Sequence, residues 1–181
     1  MVLKKRADGV ITGSGLGHWD AMVDVHRRTR TVVFPFVQGT TFLSAGAAAQ
    51  GWEIDAAAEY AIAFGHVPAD FNAFVSLKVY AVTLVLEADE MRLELEAYGA
   101  ASDEIFSTET IAVADKDSET TDMAANDVVY WKYTTTDDAD LGDLAAGDSL
   151  QIKVLHEAAG DGSCATDAVF RYALLEYTID A

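Results

Sequence analysis

The stretch EMRLELEAY, Glu90 to Tyr98, sets Met91, Leu93, Leu95 and Ala97 against Glu90, Arg92, Glu94 and Glu96. Strict alternation has a period of two, so the segment reads as a β-strand with one face in a core and the other in water. A chain that holds such a strand must build a sheet around it. The run before it, FVSLKVYAVTLVL, repeats the period, with Val75, Leu77, Val79 and Ala81 on one side and Ser76, Lys78 and Tyr80 on the other. With Leu86 to Glu90 as the turn, the two segments read as a hairpin.

Six more segments carry the same signal. They are TVVFPFV (31–37), EYAIAFG (59–65), ETIAVAD (109–115), DVVYWKYT (127–134), SLQIKVLHE (149–157) and AVFRYALLEYTI (168–179). All are rich in β-branched and aromatic residues and bounded by Gly, Asp, Asn or Ser. Pro35 suits an edge strand or a bulge, because it has no N–H for a central ladder. SAGAAAQGWEIDAAAEY reads as a short helix or an irregular link, and MAAN as a single turn. No repeat of solenoid or propeller length is present. Eight strands without interleaved long helices predict an all-β fold, an antiparallel β-sandwich of the jelly-roll kind, with a simple barrel as the competitor. The segments 74–86 and 168–179 are apolar on much of both faces: Phe170, Tyr172 and Leu174 oppose Val169, Ala173, Leu175 and Tyr177. One of those faces meets the core, and the other calls for a cover, most simply another subunit.

At 181 residues and 51% hydrophobic content, the chain is long and apolar enough to bury one ordinary core. Its net charge of -18 repels phosphate backbones and anionic lipid, which disfavours general nucleic-acid or membrane-surface binding. The basic start has no apolar segment behind it, and no long apolar run follows, so neither a cleaved signal nor a membrane span is expected. The lone Cys164 gives no intrachain disulfide and no cysteine cluster for zinc.

Charge is laid out unevenly. Lys4, Lys5, Arg6, Arg27, Arg28 and Arg30 are six of the twelve basic residues, all within the first thirty positions. Between them lies GVITGSGLGHWDAMV, whose glycines at 9, 13, 15 and 17 oppose a regular element. Residues 1–30 therefore read as a basic, glycine-rich arm ahead of a sandwich at 31–181. An arm of opposite charge to the body can lie across a neighbouring subunit or an acidic surface, with Trp19 and Met22 as apolar anchors.

Sites of chemistry are sparse. GSGLGH (13–18) lacks the Lys-Ser/Thr ending and the preceding strand of a phosphate loop. His18, His26, His66 and His156 form no close-spaced metal pair, and Ser14, Ser44, Ser107 and Ser163 lie in no nucleophile elbow. The acidic run DDADLGD (137–143) misses calcium-loop spacing, because Gly142 falls where a ligand is needed. No catalytic residue, metal site or cofactor is expected.

One resemblance adds to this. Ala146-Gly147-Asp148, the strand Leu150-Gln151-Ile152-Lys153-Val154, the loop with Asp161 and Thr166-Asp167, and the closing Leu174-Leu175-Glu176-Tyr177 resemble the C-terminal hairpin of single jelly-roll virion proteins. These are decoration, head-fibre or tail-appendage subunits of bacterial and archaeal viruses. The chain departs from that pattern with His156 where an Arg is usual, and with a more aromatic last strand. The resemblance implies an architectural role, trimeric assembly and anchorage by an N-terminal segment, and it transfers no catalytic residue.

The reading that follows is a structural, self-assembling virion protein on a capsid surface or appendage, made in the host cytoplasm. Its partners are copies of itself, as a homotrimer, and other shell proteins. Lys4, Lys5, Arg6, Trp19, Met22, Arg27, Arg28 and Arg30 are the interface candidates, while Trp131 suits the core. A carbohydrate-binding β-sandwich is the alternative, marked by Trp52 or Tyr60 exposed beside an acidic loop. A small cupin-like enzyme is the third, and needs two histidines and a carboxylate converging in a barrel.

Overall fold

The computed structural model describes residues 4–5, 11–12, 28–43, 50–84, 86, 89–101, 110–156 and 167–179. Two short strands, β1 (Lys4–Lys5) and β2 (Ile11–Thr12), pair with each other in an antiparallel ladder. The body then contains β3 (Thr29–Gly39), β4 (Thr41–Leu43), β5 (Gly51–Ile54), β6 (Tyr60–His66), β7 (Ala73–Thr83) and β8 (Arg92–Ala100). It continues with β9 (Thr110–Asp117), β10 (Val128–Tyr133), β11 (Ser149–His156) and β12 (Ala168–Thr178), with a 3-10 turn at Ala139–Asp143.

These strands make two antiparallel layers. The first runs β3-β12-β7-β10 and the second β6-β11-β8-β9. That interleaving, in which sequence neighbours among the long strands fall in opposite layers except for the β8–β9 pair, is the jelly roll. β3 serves both layers: Thr29 to Pro35 pair with β12, and Phe36, Gln38 and Gly39 pair with β6. Pro35 sits at the changeover, one residue before a register shift, so its missing N–H falls where ladder bonding passes from one sheet to the other. The β4–β5 hairpin is laid against the start of β12, with Phe170 opposite Trp52.

Two pairings expected from the sequence are corrected. β7 and β8 form no hairpin, because β7 pairs with β10 and β12 while β8 pairs with β11 and β9. The C-terminal pair is likewise split, with β11 in the second layer and β12 in the first. The physical reason is the same in both cases. An amphipathic strand fixes which face is dry, and two such faces satisfy each other across a core as well as side by side.

The alternation that marked the strands defines the core. Leu93, Leu95 and Ala97 from β8 and Leu150, Ile152 and Val154 from β11 face Leu77, Val79, Ala173 and Leu175 of the other layer, all buried. Trp131 of β10 lies at the centre with 0% exposure, stacked on Phe170 at 5.5 Å, its indole N–H donating to the Met91 carbonyl at 2.9 Å. Tyr133 is equally buried, and the loss of water pushes its phenol well above the ordinary value. The Ala146-Gly147-Asp148 turn feeds β11: Gly147 takes φ +90°, and the Asp148 carboxylate accepts from the Ala145 amide at 2.8 Å. The acidic run at 137–143 is a capped turn. Asp138 accepts from the Asp140 amide, Leu141 is buried, and Lys116 pairs with Asp137 at 2.8 Å.

Candidate functional site

β6 is inverted relative to a core strand. Its inward residues are the small Ala61 and Ala63, both fully buried, while Tyr60, Ile62, Phe64 and His66 point outward. Phe64 is 46% exposed, a large apolar ring left in water. The next strand, β11, presents Ser149, Gln151, Lys153 and Leu155 on the same side, and β8 presents Glu94, Glu96 and Tyr98. Register sets these in rows: Phe64 beside Gln151 and then Tyr98, Ile62 beside Lys153 and then Glu96, Tyr60 beside Leu155 and then Glu94. The outer face of the second layer is thus an apolar rail along β6 next to a hydrogen-bonding rail along β11 and β8.

The polar rail is held in place. Lys153 Nζ donates to Glu96 Oε2 at 2.8 Å, and the Tyr98 hydroxyl donates to the same oxygen at 2.8 Å. Burial alone would raise the Glu96 carboxyl, but these two hydrogen bonds hold it below the usual range. Tyr98 is pushed up by that bond and by partial burial. At the end of the rails lies an open cleft of about 300 Å³ lined by Phe64, Gly65, His66, Ser149 and Leu150. Its floor is tight: a Cβ on Gly65 would stand 2.1 Å from the Phe34 ring beneath. Ser149 Oγ lies 3.4 Å from His66 Nδ1. That separation is long for a nucleophile and its base, and among the described residues no carboxylate orients the imidazole. The pair serves as a polar rim able to donate and accept.

The outer face of the first layer differs. Tyr130, Tyr80 and Tyr172 follow each other in register across β10, β7 and β12, with Pro35 of β3 next in the row. The three rings stack, with centroids 5.6 and 4.9 Å apart. Their faces are spent on one another, so edges and hydroxyls meet solvent. The row below holds Lys132, Lys78, Leu174 and Val33. Lys78 pairs with Glu176 at 3.0 Å, and Ser76 donates a short hydrogen bond to the same carboxylate. The Ser76 hydroxyl first, then Lys78, hold Glu176 below the usual carboxylate range.

Around β5 the acidic residues gather. Glu59 accepts from Thr41 Oγ1 and from the amides of Asp55 and Ala56. Glu53 is raised by burial and by the charges of Asp55, Glu59 and Asp167. Among the described residues no group of His, Cys, Asp or Glu is placed to hold a metal ion. Nor is any helix among them long and apolar enough to cross a membrane.

Of the interface candidates read from the sequence, Lys4, Lys5, Arg28 and Arg30 are among the described residues. Arg28 is exposed, and Arg30 lies within β3, ion-paired to Asp70. Lys4 and Lys5 are in β1, while Arg6, Trp19, Met22 and Arg27 lie outside the described residues, as do Cys164, His18 and His26. Trp52 is half-buried, edge-on to Phe42 at 5.0 Å, with its N–H donated to the Phe36 carbonyl at 3.1 Å. Tyr60 belongs to the outer rail. Phe64, Gln151 and Tyr98 were not anticipated. The signal for Phe64 was present in YAIAFGH, where the small residues alternate inward and the large ones outward, the reverse of a core strand.

No family model matches the chain, and no curated protein matches it. Two solved structures overlap it in shape. The first is the CBM36-1 domain of a multidomain xylanase from the hindgut metagenome of Trinervitermes trinervoides, at 9% identity and TM-score 0.46, over 81% of this chain and 96% of that one. The second is a carbohydrate-binding module CBM36 in complex with calcium and xylotriose, at 13% identity and TM-score 0.38, over 81% and 98%.

Proposed function

We propose that the chain is a non-catalytic, glycan-binding jelly roll that holds an extended saccharide along the outer face of its second layer. The supporting observation is the exposed Phe64 beside a hydrogen-bonding row. Sugar rings have an apolar C–H face and a polar rim, and here an apolar rail of Tyr60, Ile62 and Phe64 runs next to Gln151, Lys153, Glu96 and Tyr98. From Tyr60 to Phe64 is four residues of strand, about 13 Å, enough for two or three sugar units. Lys153, Glu96 and Tyr98 are already bonded to one another, so little side-chain freedom is lost on binding.

The test is calorimetry and affinity electrophoresis against soluble xylan, mixed-linkage glucan, galactan and mannan. One of them should bind, and Phe64→Ala should weaken it by about ten-fold or more while circular dichroism is unchanged. Absence of binding to every polymer, or an indifferent Phe64→Ala, refutes the proposal.

A second reading, a self-assembling virion surface subunit, is favoured by the outer face of the first layer, where Val33 and Val128 are 53% and 61% exposed around the tyrosine row. The fold itself does not decide between the two, since lectin and capsid domains share it.

A further inference from the structure

We propose that Glu96 makes the outer face of the second layer selective for uncharged glycans over acidic ones, by holding Lys153, the cation in the middle of the rails. This rests on the glycan reading of that face and adds to it the class of sugar. Ile62, Lys153 and Glu96 form the central row, between the row of Phe64, Gln151 and Tyr98 and the row of Tyr60, Leu155 and Glu94. A saccharide laid on the apolar rail therefore passes directly beside Lys153. That ammonium donates to Glu96 Oε2 at 2.8 Å, and the Tyr98 hydroxyl donates to the same oxygen at 2.8 Å. The two charged side chains are only 25% and 19% exposed, so the pair is partly shielded from water and from salt.

The other described charges of this face offer an acidic sugar no better seat. Arg92, two rows from Glu96 along β8, is ion-paired with Asp117 at 3.7 Å. Glu94 and Asp115 stand opposite each other in register, which makes the row next to Lys153 acidic. His66, at the cleft, counts as neutral in a chain whose net charge is -18 at pH 7.

A sugar carboxylate seated over Lys153 meets a cation that Glu96 already holds, and sets a second negative charge beside the first. Attraction to the ammonium and repulsion from Glu96 then nearly cancel, and the Glu94–Asp115 row and the net charge turn the balance against binding. An uncharged sugar meets no such opposition. The Lys153 ammonium has three N–H groups for sugar hydroxyls, and the Gln151 amide both donates and accepts. Selection of this kind comes from a built-in repulsion against the competitor, not from an added attraction to the ligand. Glutamine at position 96 keeps the shape and the accepting oxygen but releases the Lys153 charge, so it should admit acidic sugars to the same rails.

The experiment is calorimetry of the full chain against soluble xylan, mixed-linkage glucan, galactan and mannan, each with its carboxymethyl derivative and, as a neutral control of similar bulk, its hydroxyethyl derivative. For the polymer that binds, the carboxymethyl form should be about ten-fold or more weaker than the hydroxyethyl form at about 20 mM salt, and the gap should narrow at about 500 mM. Glu96→Gln should close the gap to within about three-fold while affinity for the hydroxyethyl form holds, a change of ratio that loss of structure would not produce. Asp140→Asn makes the same change of net charge on the 139–143 turn and should leave the gap as it is. Lys153→Met, which leaves Glu96 without its cation, should widen it, and carries the test if Glu96→Gln does not fold. Equal binding of the two derivatives to the wild-type chain overturns the proposal, as does a gap that ignores both Glu96→Gln and Lys153→Met, or one that Asp140→Asn closes as well. In each of those outcomes a neutral polymer still binds and the glycan reading stands; binding to none of the polymers overturns both.

Discussion

Gly65→Ala is the sharpest test of the packing beneath the cleft. Gly65 is in β6, and a Cβ built there meets Phe34 Cδ1 and Cε1 at 2.1 Å and Cζ at 3.4 Å. Ordinary carbon contact begins near 3.5 Å, so the ring has to withdraw by more than 1 Å. Phe34 is 3% exposed and sits in the continuous core, so withdrawal displaces other side chains rather than water. Overpacking of this kind costs about 1–3 kcal/mol, and the severity of the clash places it at the upper end. Restricting the unfolded chain returns about 0.5–1 kcal/mol, which leaves about 2 kcal/mol of destabilisation. For a chain of this size that is about 4–8 °C in melting temperature. Urea and thermal unfolding measure it. A two-way cycle with Phe34→Leu isolates the cause: in the leucine background the alanine should cost less than about 0.5 kcal/mol, a coupling of at least about 1 kcal/mol. A Gly65→Ala protein within about 0.5 kcal/mol of wild type, or additive costs in the cycle, would refute the close approach of ring and strand.

Other substitutions separate effects that share a residue type or a charge. Gly147→Ala meets nothing within 4 Å but inherits φ +90°, so its cost should be the backbone penalty alone, about 1–2 kcal/mol in urea unfolding, and no second-site change in packing should relieve it. Glu176 has a folded-state pKa below its unfolded value, so its stabilisation is present above the usual glutamate range and is lost as pH falls through the folded value; Glu176→Gln should flatten the decline of melting temperature below about pH 5. Glu53 has the opposite sign. Burial first, then Asp55, Glu59 and Asp167, raise it, so its stabilisation is present in acid and lost as pH rises through the raised value, and Glu53→Gln should raise the melting temperature at neutral pH with the gain vanishing in acid. Trp131→Phe removes the donor to the Met91 carbonyl, but that carbonyl keeps the Ser118 amide at 2.8 Å, so the loss should come from the vacated volume, about 1–2 kcal/mol, rather than from an orphaned acceptor.

The sequence made the strands legible and left their partners obscure, for a physical reason that β7 and β8 display. Alternation in VSLKVYAV and RLELEA states which side chains leave water, and this is a property of each strand alone. Whether Leu77 and Leu93 stand in neighbouring strands or across a core depends on the ladder groups, which every strand carries alike. Hence all eight long strands were foreseen within a few residues, while the β7–β8 and β11–β12 pairings read from the sequence do not form. The β4–β5 flap was missed because Gly51–Ile54 is short and embedded in an alanine-rich stretch with no period to read.

The two outer faces follow the same logic one step further. In AVFRYALLEYTI the apolar residues on both sides announced a surface needing cover, and the structure turns Tyr172 and Leu174 outward to meet Tyr80 and Val33. In YAIAFGH, by contrast, the outward set has the larger residues, and a chain that needed only a core would place them the other way round. Filling β6 with Ala61 and Ala63 lets Phe34 press up against Gly65 from below, and it leaves Phe64 and Tyr60 in solvent above. A core could be filled by exchanging those sizes. That the strand is built the other way is the physical ground for reading this face as a ligand surface.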